Sequence, residues 1–574
     1  MKQDFNKPIP KKRQFLPVDF QLTQWESLQP FYDQLLHRAL TDLAALRGWL
    51  LDRSELEGAI AEDAGWRYIN MTRDTTHEEY RQRYETYVKD ILPQIMPLAH
   101  QLDEKTVQCP YAQELGQEVG FDLLLRCLEN NIRLYRPENV PILTQLKLRE
   151  QEYGKIVGAM TVEVAGKELT LQQAAIYLEE QDRALREEVY QKIHSRRWQD
   201  KDTLNDLYTA LIKDRHQVAI KAGFDNFRDY TFAALKRFDY TPQHCFAFHQ
   251  GVEEVVVPFL NELAQERQAM LGVALLKPWD HAVDPTGKPP LKPFSDGADL
   301  LHKTITAFDR LDPFLGDCLR TMEARGRFDL ESRKGKAPGG YNFPLEESGV
   351  PFIFMNAAAT FKDMITMLHE GGHAVHSFLM HDLPLNDFKH ITAEMAELAS
   401  MSMELLTMDQ WDLFFDNEDE LKRAKKQQLE QVMGRLAWIA TIDKFQHWIY
   451  ENPHHTLARR KIAWHDVLSS FAEHVTDWSG QEAFQDFMWQ KQLHLFEVPF
   501  YYIEYGIAQL GAIAVWRKYQ QNPKQGLQSY LNALKLGYTC SLPHMYETAG
   551  IAFDLRRSYI QELVTFVRDQ WQAM

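Results

Sequence analysis

The chain has 574 residues, of which 45% are apolar and 25% charged, so it can bury a large core without disulfide or metal staples. Acidic residues number 81 and basic ones 64, and the net charge of −17 makes nucleic acid an unfavourable partner. No apolar run is long enough to span a bilayer, so no membrane partner is expected. The length itself favours more than one folding unit.

The cysteines and the N-terminus indicate the compartment. The chain has five widely spaced cysteines without a CxxC pair, which predicts free thiols in a reducing environment. The first twenty residues include basic side chains but no apolar core, so no signal peptide is expected. Both features favour a cytoplasmic location.

Most of the chain is predicted to be helical, because apolar residues recur three and four apart with charges between them. Residues 78–102 and 172–198 are clear examples. Residues 274–297 concentrate Pro, Gly and Asp and predict a long ordered loop. Residues 326–356 hold short apolar runs divided by Gly and Pro, which predicts two or three strands. A composition shift near residue 200 indicates that a helical N-terminal region precedes the rest.

The segment after these strands, residues 359–380, predicts a helix with an HExxH motif. His369 and His373 are four residues apart, so both imidazoles lie on one side and can reach one tetrahedral Zn²⁺. Glu370 projects beside them, where it can act as general base on the attacking water without ligating the metal. Glycine is unfavourable inside a helix, and a close helix neighbour would account for Gly372.

A catalytic zinc needs a third protein ligand. Residues 390–408 predict a second helix with Glu397 and Glu404 on a face that adjoins its apolar side. Carboxylates on a helix built for burial need partners, and an antiparallel return would bring Glu397 to the histidines as third ligand. Glu404 is expected to orient a ligand imidazole. Glu394 is the competing third ligand, and a plain solvated helix is the alternative for both assignments.

A tyrosine-rich segment follows about one hundred residues later. Pro499 is predicted to end one element and begin a helix. On that helix Tyr505 is three residues from Tyr502 and four from Tyr501, and His494 precedes them. A Tyr hydroxyl or His N–H can stabilise the oxyanion of amide hydrolysis. On the pattern alone, ordinary packing of tyrosines is the favoured alternative.

Taken in order, these segments resemble the oligoendopeptidase F and thimet oligopeptidase family of zinc metallopeptidases, more closely on the oligoendopeptidase F side. The similarity is weaker over the first 190 residues. The segments that carry it are RFDLESRKGKAPGGYN (327–342), HEGGHAVH (369–376), AELASMSMELL (396–406) and HLFEVPFYYIEYG (494–506).

The resemblance implies a mainly α fold with two helical lobes around a deep substrate cleft and one small β-sheet beside the zinc-binding helix. Residues 1–190 would form a helical N-terminal region that is part of the cleft wall, and residues 191–574 the zinc metallopeptidase catalytic domain.

The resemblance also implies one Zn²⁺ per chain and cleavage of short peptides, since a narrow cleft excludes folded proteins. It favours a functional role over simple packing for Tyr502 and Tyr505, and it leaves Tyr501 as a looser match to the family's motif. The matching positions are His369, His373 and Glu397 for zinc, Glu370 for the base, and His494, Tyr502 and Tyr505 for the substrate and its transition state.

A peptide substrate is expected to pair its backbone with the strand edge at 351–356. The loop with Gly339, Gly340 and Tyr341 could close over it, the glycines allowing close backbone approach, unless this loop is only a surface hairpin. Two other functions compete: a helical zinc carboxypeptidase or dipeptidyl carboxypeptidase, and an inactive peptide-binding scaffold. The presence of every ligand and of the base disfavours the scaffold.

Overall fold

The computed structural model of the protein describes residues 12–574. Residues 1–11, on which part of the signal-peptide expectation rests, lie outside the described residues. The α-helices of the described part are α1 (Trp25–His37), α2 (Leu43–Arg73), α3 (Glu78–Thr86), α4 (Leu92–Val107), α5 (Ala112–Leu115), α6 (Phe121–Leu134), α7 (Val140–Gly158), α8 (Leu171–Ala175), α9 (Arg183–Gln199), α10 (Lys201–Lys221), α11 (Phe227–Ala234), α12 (Pro242–Gly251), α13 (Val257–Leu271), α14 (Gly297–Leu311), α15 (Pro313–Ala324), α16 (Phe361–Leu379), α17 (Ala393–Leu406), α18 (Glu418–Glu451), α19 (Leu457–Phe471), α20 (Glu482–Gln485), α21 (Leu493–Glu497), α22 (Tyr502–Gln521), α23 (Pro523–Leu534), α24 (Leu542–Thr548) and α25 (Arg557–Gln572).

The strands form two small sheets. β1 (Thr161–Val164) and β2 (Lys167–Thr170) make an antiparallel hairpin, and β3 (Phe328–Glu331), β4 (Tyr341–Phe343) and β5 (Phe352–Ala357) make a sheet of order β3-β5-β4. β5 runs parallel to β3 and antiparallel to β4. The predicted fold class, mainly α with a small sheet before the HExxH helix, is confirmed, as are the strands in 326–356.

Two features differ from the sequence-based expectation. The β1–β2 hairpin was not anticipated, although Ala165 (φ 51°) and Gly166 (φ 74°) form its turn. The predicted helix 172–198 is broken, because Asp182 caps a new helix by accepting hydrogen bonds from the N–H groups of Ala184 (3.0 Å) and Leu185 (3.3 Å).

The remaining segments match their predictions. Residues 78–102 lie in α3 and α4, which a π-helical turn at Tyr87–Ile91 joins. The stretch 274–297 is irregular apart from a 3₁₀ turn at Pro278–Asp280. Buried Asp280 orders this loop by accepting hydrogen bonds from Arg183 and Arg186.

The core holds the helices of the HExxH region together. α17 packs against both α16 and α22, and α18 packs against α22. A second apolar cluster unites the N-terminal helices with Leu385 and Phe388, and a third joins Ile69 of α2 to the three-stranded sheet. Among residues 12–574, no helix combines the length and apolar composition that a bilayer crossing needs.

Candidate metal centre and active site

The helix with the two histidines has a well-defined start. The Thr360 hydroxyl accepts a hydrogen bond from the Asp363 N–H (3.2 Å), and the Asp363 carboxylate accepts one from the Thr360 N–H (3.0 Å). This reciprocal capping box begins α16 shortly after β5. The helical period then places His369 and His373 one turn apart, with ring centroids separated by 4.9 Å.

α16 and α17 approach each other closely at Gly372. A Cβ at this position would lie 2.6 Å from Ser400 Cα and 2.8 Å from the Ala399 carbonyl oxygen, so no larger residue fits without moving a helix. The expected close helix neighbour at Gly372 is therefore confirmed. The same contact brings Glu397 of α17 to the histidines of α16.

Three side chains offer donor atoms to one metal ion. Glu397 Oε2 lies 3.3 Å from His369 Nε2 and 3.8 Å from His373 Nε2, and one donor atom from each residue lies within 4.8 Å of the others. Burial alone would raise the pKa of the Glu397 carboxyl, but the two histidines lower it to about 2. Two imidazoles and an ionised carboxylate are a donor set that fits zinc with one coordination position open.

Glu404 holds His369 from the side away from the donor cluster. Its Oε1 lies 2.8 Å from His369 Nδ1, while Gln428 donates to Oε2 (2.8 Å) and Arg435 to both oxygens (3.2 and 3.3 Å). Burial would raise the pKa of Glu404, but Arg435 and His369 lower it. An ionised Glu404 accepts the Nδ1–H, which leaves Nε2 as the His369 nitrogen that faces Glu397 and His373 and could ligate a metal.

Glu394, the competing third ligand, has a different partner. Its carboxylate is buried and accepts a hydrogen bond from the Tyr240 hydroxyl at 2.5 Å. It does not belong to either potential metal-binding group within residues 12–574. The geometry therefore favours Glu397.

Replacing Glu404 should weaken metal binding. In Glu404→Gln a neutral amide is a poorer acceptor for His369, and Arg435 loses its counter-charge, so we expect zinc affinity to fall about 10–100-fold. Competition with a chromophoric chelator measures this, with the exposed Glu418→Gln on α18 as control. Equal zinc affinity in the two variants would exclude an orienting role for Glu404.

Glu370 shares a cavity of about 540 Å³ with the three donors. Its side chain is buried, and this burial raises the pKa of its carboxyl to about 7, with Glu397 adding to the effect and His369 opposing it. A carboxyl with a pKa near 7 can both take and return a proton near neutral pH.

The three tyrosines have different partners. Tyr501 donates its hydroxyl hydrogen to Glu397 Oε1 (2.9 Å), and Tyr505 lies 3.3 Å from His494 Nε2. Both line the cavity. Tyr502 instead donates to Gln492 Oε1 (2.8 Å) and is not among the described residues around the cavity. The structure thus brings Tyr501 and Tyr505 to the cavity, whereas Tyr502, which the sequence favoured over Tyr501, contacts Gln492.

A hydrogen-bond chain determines the tautomer of His494. The Trp438 indole can only donate, and it donates to Gln492 Oε1 (2.9 Å), so the Gln492 amide nitrogen faces His494 Nδ1 at 2.7 Å. Burial lowers the pKa of His494 to about 4. The neutral ring thus carries its hydrogen on Nε2 and donates to the Tyr505 oxygen, leaving the Tyr505 hydroxyl hydrogen free for another acceptor.

The Gly-rich segment lies against the cavity through its strand. Gly340 and Tyr341 line the cavity. The Tyr341 ring stacks on Phe354 (centroids 4.8 Å apart) and its hydroxyl bonds to Thr72 (2.6 Å), so the strand is held rather than free to fold over a ligand. Gly339 (φ 99°) is in the left-handed region that favours glycine, but it is not among the described cavity residues.

The proposed docking edge at 351–356 is not available. β5 lies between β3 and β4, so both of its edges already make sheet hydrogen bonds. The expectation of peptide pairing on β5 is wrong, because strand order depends on β3, which precedes it by about twenty residues. β4 is the outer strand beside the cavity.

Sequence reasoning missed several residues of this site. His376 lines the cavity and is only three residues beyond His373, so the third histidine of HEGGHAVH was an available signal. Gln492 stands two residues before His494. Gln428 and Arg435 are distant in sequence from Glu404 and belong to no short motif, so only the packing of α18 reveals them.

Comparison with known proteins identifies the family of this chain. The model of peptidase family M3 matches residues 176–565, and that of the peptidase M3 N-terminal domain matches residues 15–135. The chain belongs to peptidase family M3, a family of metallopeptidases. The family resemblance of the sequence is thereby confirmed.

The sequence relatives share about a fifth of their residues with this chain, and two solved structures superpose closely on it. An oligoendopeptidase F homolog of Borreliella burgdorferi is 20% identical over 492 residues, which are 82% of this chain and 80% of the relative. A Lactococcus lactis homolog is 21% identical over 68% of this chain and 65% of its own length. The structure of PZ peptidase A with an inhibitor superposes with a TM-score of 0.92 at 26% identity, covering 98% of this chain and 99% of that one. A crystal structure assigned as an oligoendopeptidase F superposes with a TM-score of 0.92 at 26% identity. The superposition covers 97% of this chain and 98% of that one.

Proposed function

We propose that the protein is a zinc-dependent endopeptidase that hydrolyses short oligopeptides, with Glu370 as general base. The observation that carries the proposal is the meeting of three metal donors, a carboxyl with a raised pKa and the Tyr505 hydroxyl in one cavity of about 540 Å³. This volume suits a few residues of extended peptide and not a folded domain.

His369, His373 and Glu397 would hold one catalytic zinc ion per chain. When bound, zinc supplies Lewis acidity to the scissile carbonyl and to the attacking water. Glu404 keeps His369 in the tautomer that ligation requires. Tyr501 limits the movement of Glu397 through its hydrogen bond to Oε1.

Glu370 would move the protons of the reaction. Its carboxylate takes a proton from the attacking water and then delivers it to the leaving amine, which the pKa of about 7 allows in both directions. The Asn342 amide donates to the Glu370 backbone carbonyl at 3.4 Å, so this residue ties the HExxH helix to β4.

Tyr505 would stabilise the oxyanion. Because His494 donates to its oxygen, the Tyr505 hydroxyl is polarised and its hydrogen is available to the charge that develops on the carbonyl oxygen. His494 then acts on the substrate through Tyr505, and Tyr502 acts further back by bonding Gln492, which orients His494.

The substrate backbone would pair with the outer edge of β4. This edge, at Gly340 to Asn342, lines the cavity and lies beside Glu370. Pairing there gives main-chain hydrogen bonds that are independent of the substrate side chains. The absence of a Cβ at Gly340, where one would lie 3.3 Å from Thr366, helps the strand to lie close to α16.

Removing the Tyr505 hydroxyl should slow the chemistry without loss of zinc. For Tyr505→Phe we expect kcat to fall roughly 10²-fold, the cost of losing one oxyanion donor. Tyr502→Phe is the matched control, with a smaller loss, because its hydroxyl contacts Gln492. Steady-state kinetics with zinc analysis test this. An unchanged kcat for Tyr505→Phe would return that tyrosine to a packing role.

Digestion of blocked peptides tests the proposed function directly. Two sets of peptides of graded length, one N-acetylated and C-amidated and the other of the same sequences with a free C-terminus, are incubated with the enzyme. Each is digested with and without a chelator, and the products are identified by mass spectrometry. We expect internal cleavage of short peptides only, and its loss with the chelator. Cleavage restricted to peptides with a free C-terminus would show the carboxypeptidase alternative, and no cleavage of either set would show a scaffold.

Two further predictions accompany the proposal. The division into an N-terminal region, 1–190, and a catalytic domain, 191–574, is retained as a proposal. A cytoplasmic location is also proposed, and the five cysteines, all free thiols, suit a reducing compartment.

A further inference from the structure

A second group of side chains of the types that ligate metals lies between α12 and α18. Cys245 and His249 are one turn apart on α12, and Asp443 and His447 are one turn apart on α18. Each of the four is at most 3% exposed, and none lines the cavity described above. Two pairs at four-residue spacing on packed helices thus direct their polar atoms towards one another.

Three of the four residues, Cys245, Asp443 and His447, have donor atoms close enough to share one ion. Asp443 Oδ2 lies 2.8 Å from His249 Nε2 and 3.3 Å from His447 Nε2. Donor atoms of Cys245, Asp443 and His447 lie within 4.8 Å of one another. With Zn–N near 2.0 Å and Zn–S near 2.3 Å, tetrahedral donors are roughly 3.3–3.6 Å apart. The observed separations bracket this spacing.

Several of these atoms lack a hydrogen-bond partner within residues 12–574. Asp443 Oδ1 and both ring nitrogens of His447 are buried and make none. The Cys245 thiol donates to the Thr241 carbonyl over 3.7 Å, so its hydrogen bond is to the residue one turn earlier. The rings around His447 are those of Phe232, Phe246 and Phe500. Buried polar atoms normally have partners, and a cation at this point would give one to Asp443 and to one ring nitrogen of His447.

We propose that Cys245, Asp443 and His447 bind a structural zinc ion, separate from the catalytic one, and that His249 positions Asp443 through the contact of its Nε2 with Oδ2. A thiolate and an imidazole favour zinc over magnesium or calcium, which prefer oxygen ligands. The three donors are buried and lie outside the substrate cavity, so this site is closed to substrate, as structural sites are. Cys245 releases its thiol proton to solvent on binding.

The position of this site explains what it would stabilise. The His447 ring lies 5.3 Å from that of Phe500, and Gln446 accepts the Phe500 N–H at 2.7 Å. Phe500 has a φ of 65°, an unusual value for a non-glycine residue. Tyr501 follows directly. An ion joining α12 to α18 would therefore hold the turn that places Tyr501 on Glu397.

Metal analysis of the full-length enzyme tests the proposal. After expression with added zinc and gel filtration, zinc per chain is measured by mass spectrometry in five proteins. We expect two ions in the wild type and one in His369→Ala/His373→Ala. We expect one in Cys245→Ser, and none when these changes are combined. Cys318→Ser, at a cysteine that is also fully buried but in no such cluster, is the control and should keep two.

Cobalt substitution identifies the ligand independently of folding defects. A near-ultraviolet thiolate-to-cobalt band should appear in the wild type, in His369→Ala/His373→Ala and in Cys318→Ser, and should be lost in Cys245→Ser. One zinc in the wild type, with none in the double histidine variant and no thiolate band, would overturn the proposal. If Cys245→Ser does not fold, His369→Ala/His373→Ala alone tests the proposal. A zinc ion and a thiolate-to-cobalt band that remain in this variant can come only from the second site.

Discussion

Glu370→Gln should retain bound zinc and lose nearly all turnover. The substitution keeps the size of the side chain but removes the group that accepts the water proton, so we expect kcat to fall roughly 10²–10⁴-fold. Glu370 is not one of the three clustered donors, and its carboxyl makes no hydrogen bond to them, so the metal site should stay intact. Peptide hydrolysis and zinc content, measured on the same preparation, check both parts.

The pH profile of the wild type adds a second criterion. A base must be unprotonated, so activity should decline as pH falls through its pKa, and this acid limb should be absent from the residual activity of Glu370→Gln. Near wild-type turnover in the variant would exclude Glu370 as the base. Loss of zinc together with activity would show instead that the residue supports the metal site.

Glu397→Ala should lose both zinc and activity. It removes the only carboxylate among the three clustered donors, so its effect on zinc affinity should exceed the about 10–100-fold that loss of an outer partner costs. Tyr501 also loses its acceptor. Zinc titration of the variant, with circular dichroism to confirm folding, measures the effect.

Glu394→Gln is the matched control on the same helix. Its side chain is equally buried, but its carboxylate bonds Tyr240, and the Gln carbonyl can accept that hydrogen bond. We expect this variant to bind zinc like the wild type. Full zinc occupancy in Glu397→Ala combined with loss in Glu394→Gln would make Glu394 the ligand.

Local sequence was sufficient to predict those parts of the site that lie on a single helix. The spacing of His369 and His373 on α16 needs no tertiary contact, because the helical period alone places them on one side. Local sequence could not decide whether Glu394 or Glu397 is the third metal ligand, because both carboxylates are buried on α17. The close approach at Gly372 and the Tyr240 hydrogen bond distinguish them, and both come from other elements.

The tyrosines and the sheet show the limit of spacing arguments. Tyr501 and Tyr502 are adjacent, so a short shift in the start of α22 decides which hydroxyl meets Glu397 and which meets Gln492. In the sheet, β5 is central because β3 joins it in parallel after a chain reversal through the Gly-rich loop. Neither outcome follows from the local pattern of apolar and polar residues.

The sequence by itself determined the helical class, the family resemblance and the HExxH pair, because these depend on periodicity and on residues a few positions apart. The tertiary structure alone decided the strand order, the Glu404–Arg435 support of His369 and the tautomer of His494. It also revealed the buried cluster of Cys245 and His249 with Asp443 and His447, whose two pairs lie nearly two hundred residues apart. Side chains so far apart meet only when α12 and α18 pack, and the energy of that packing is spread over the whole core.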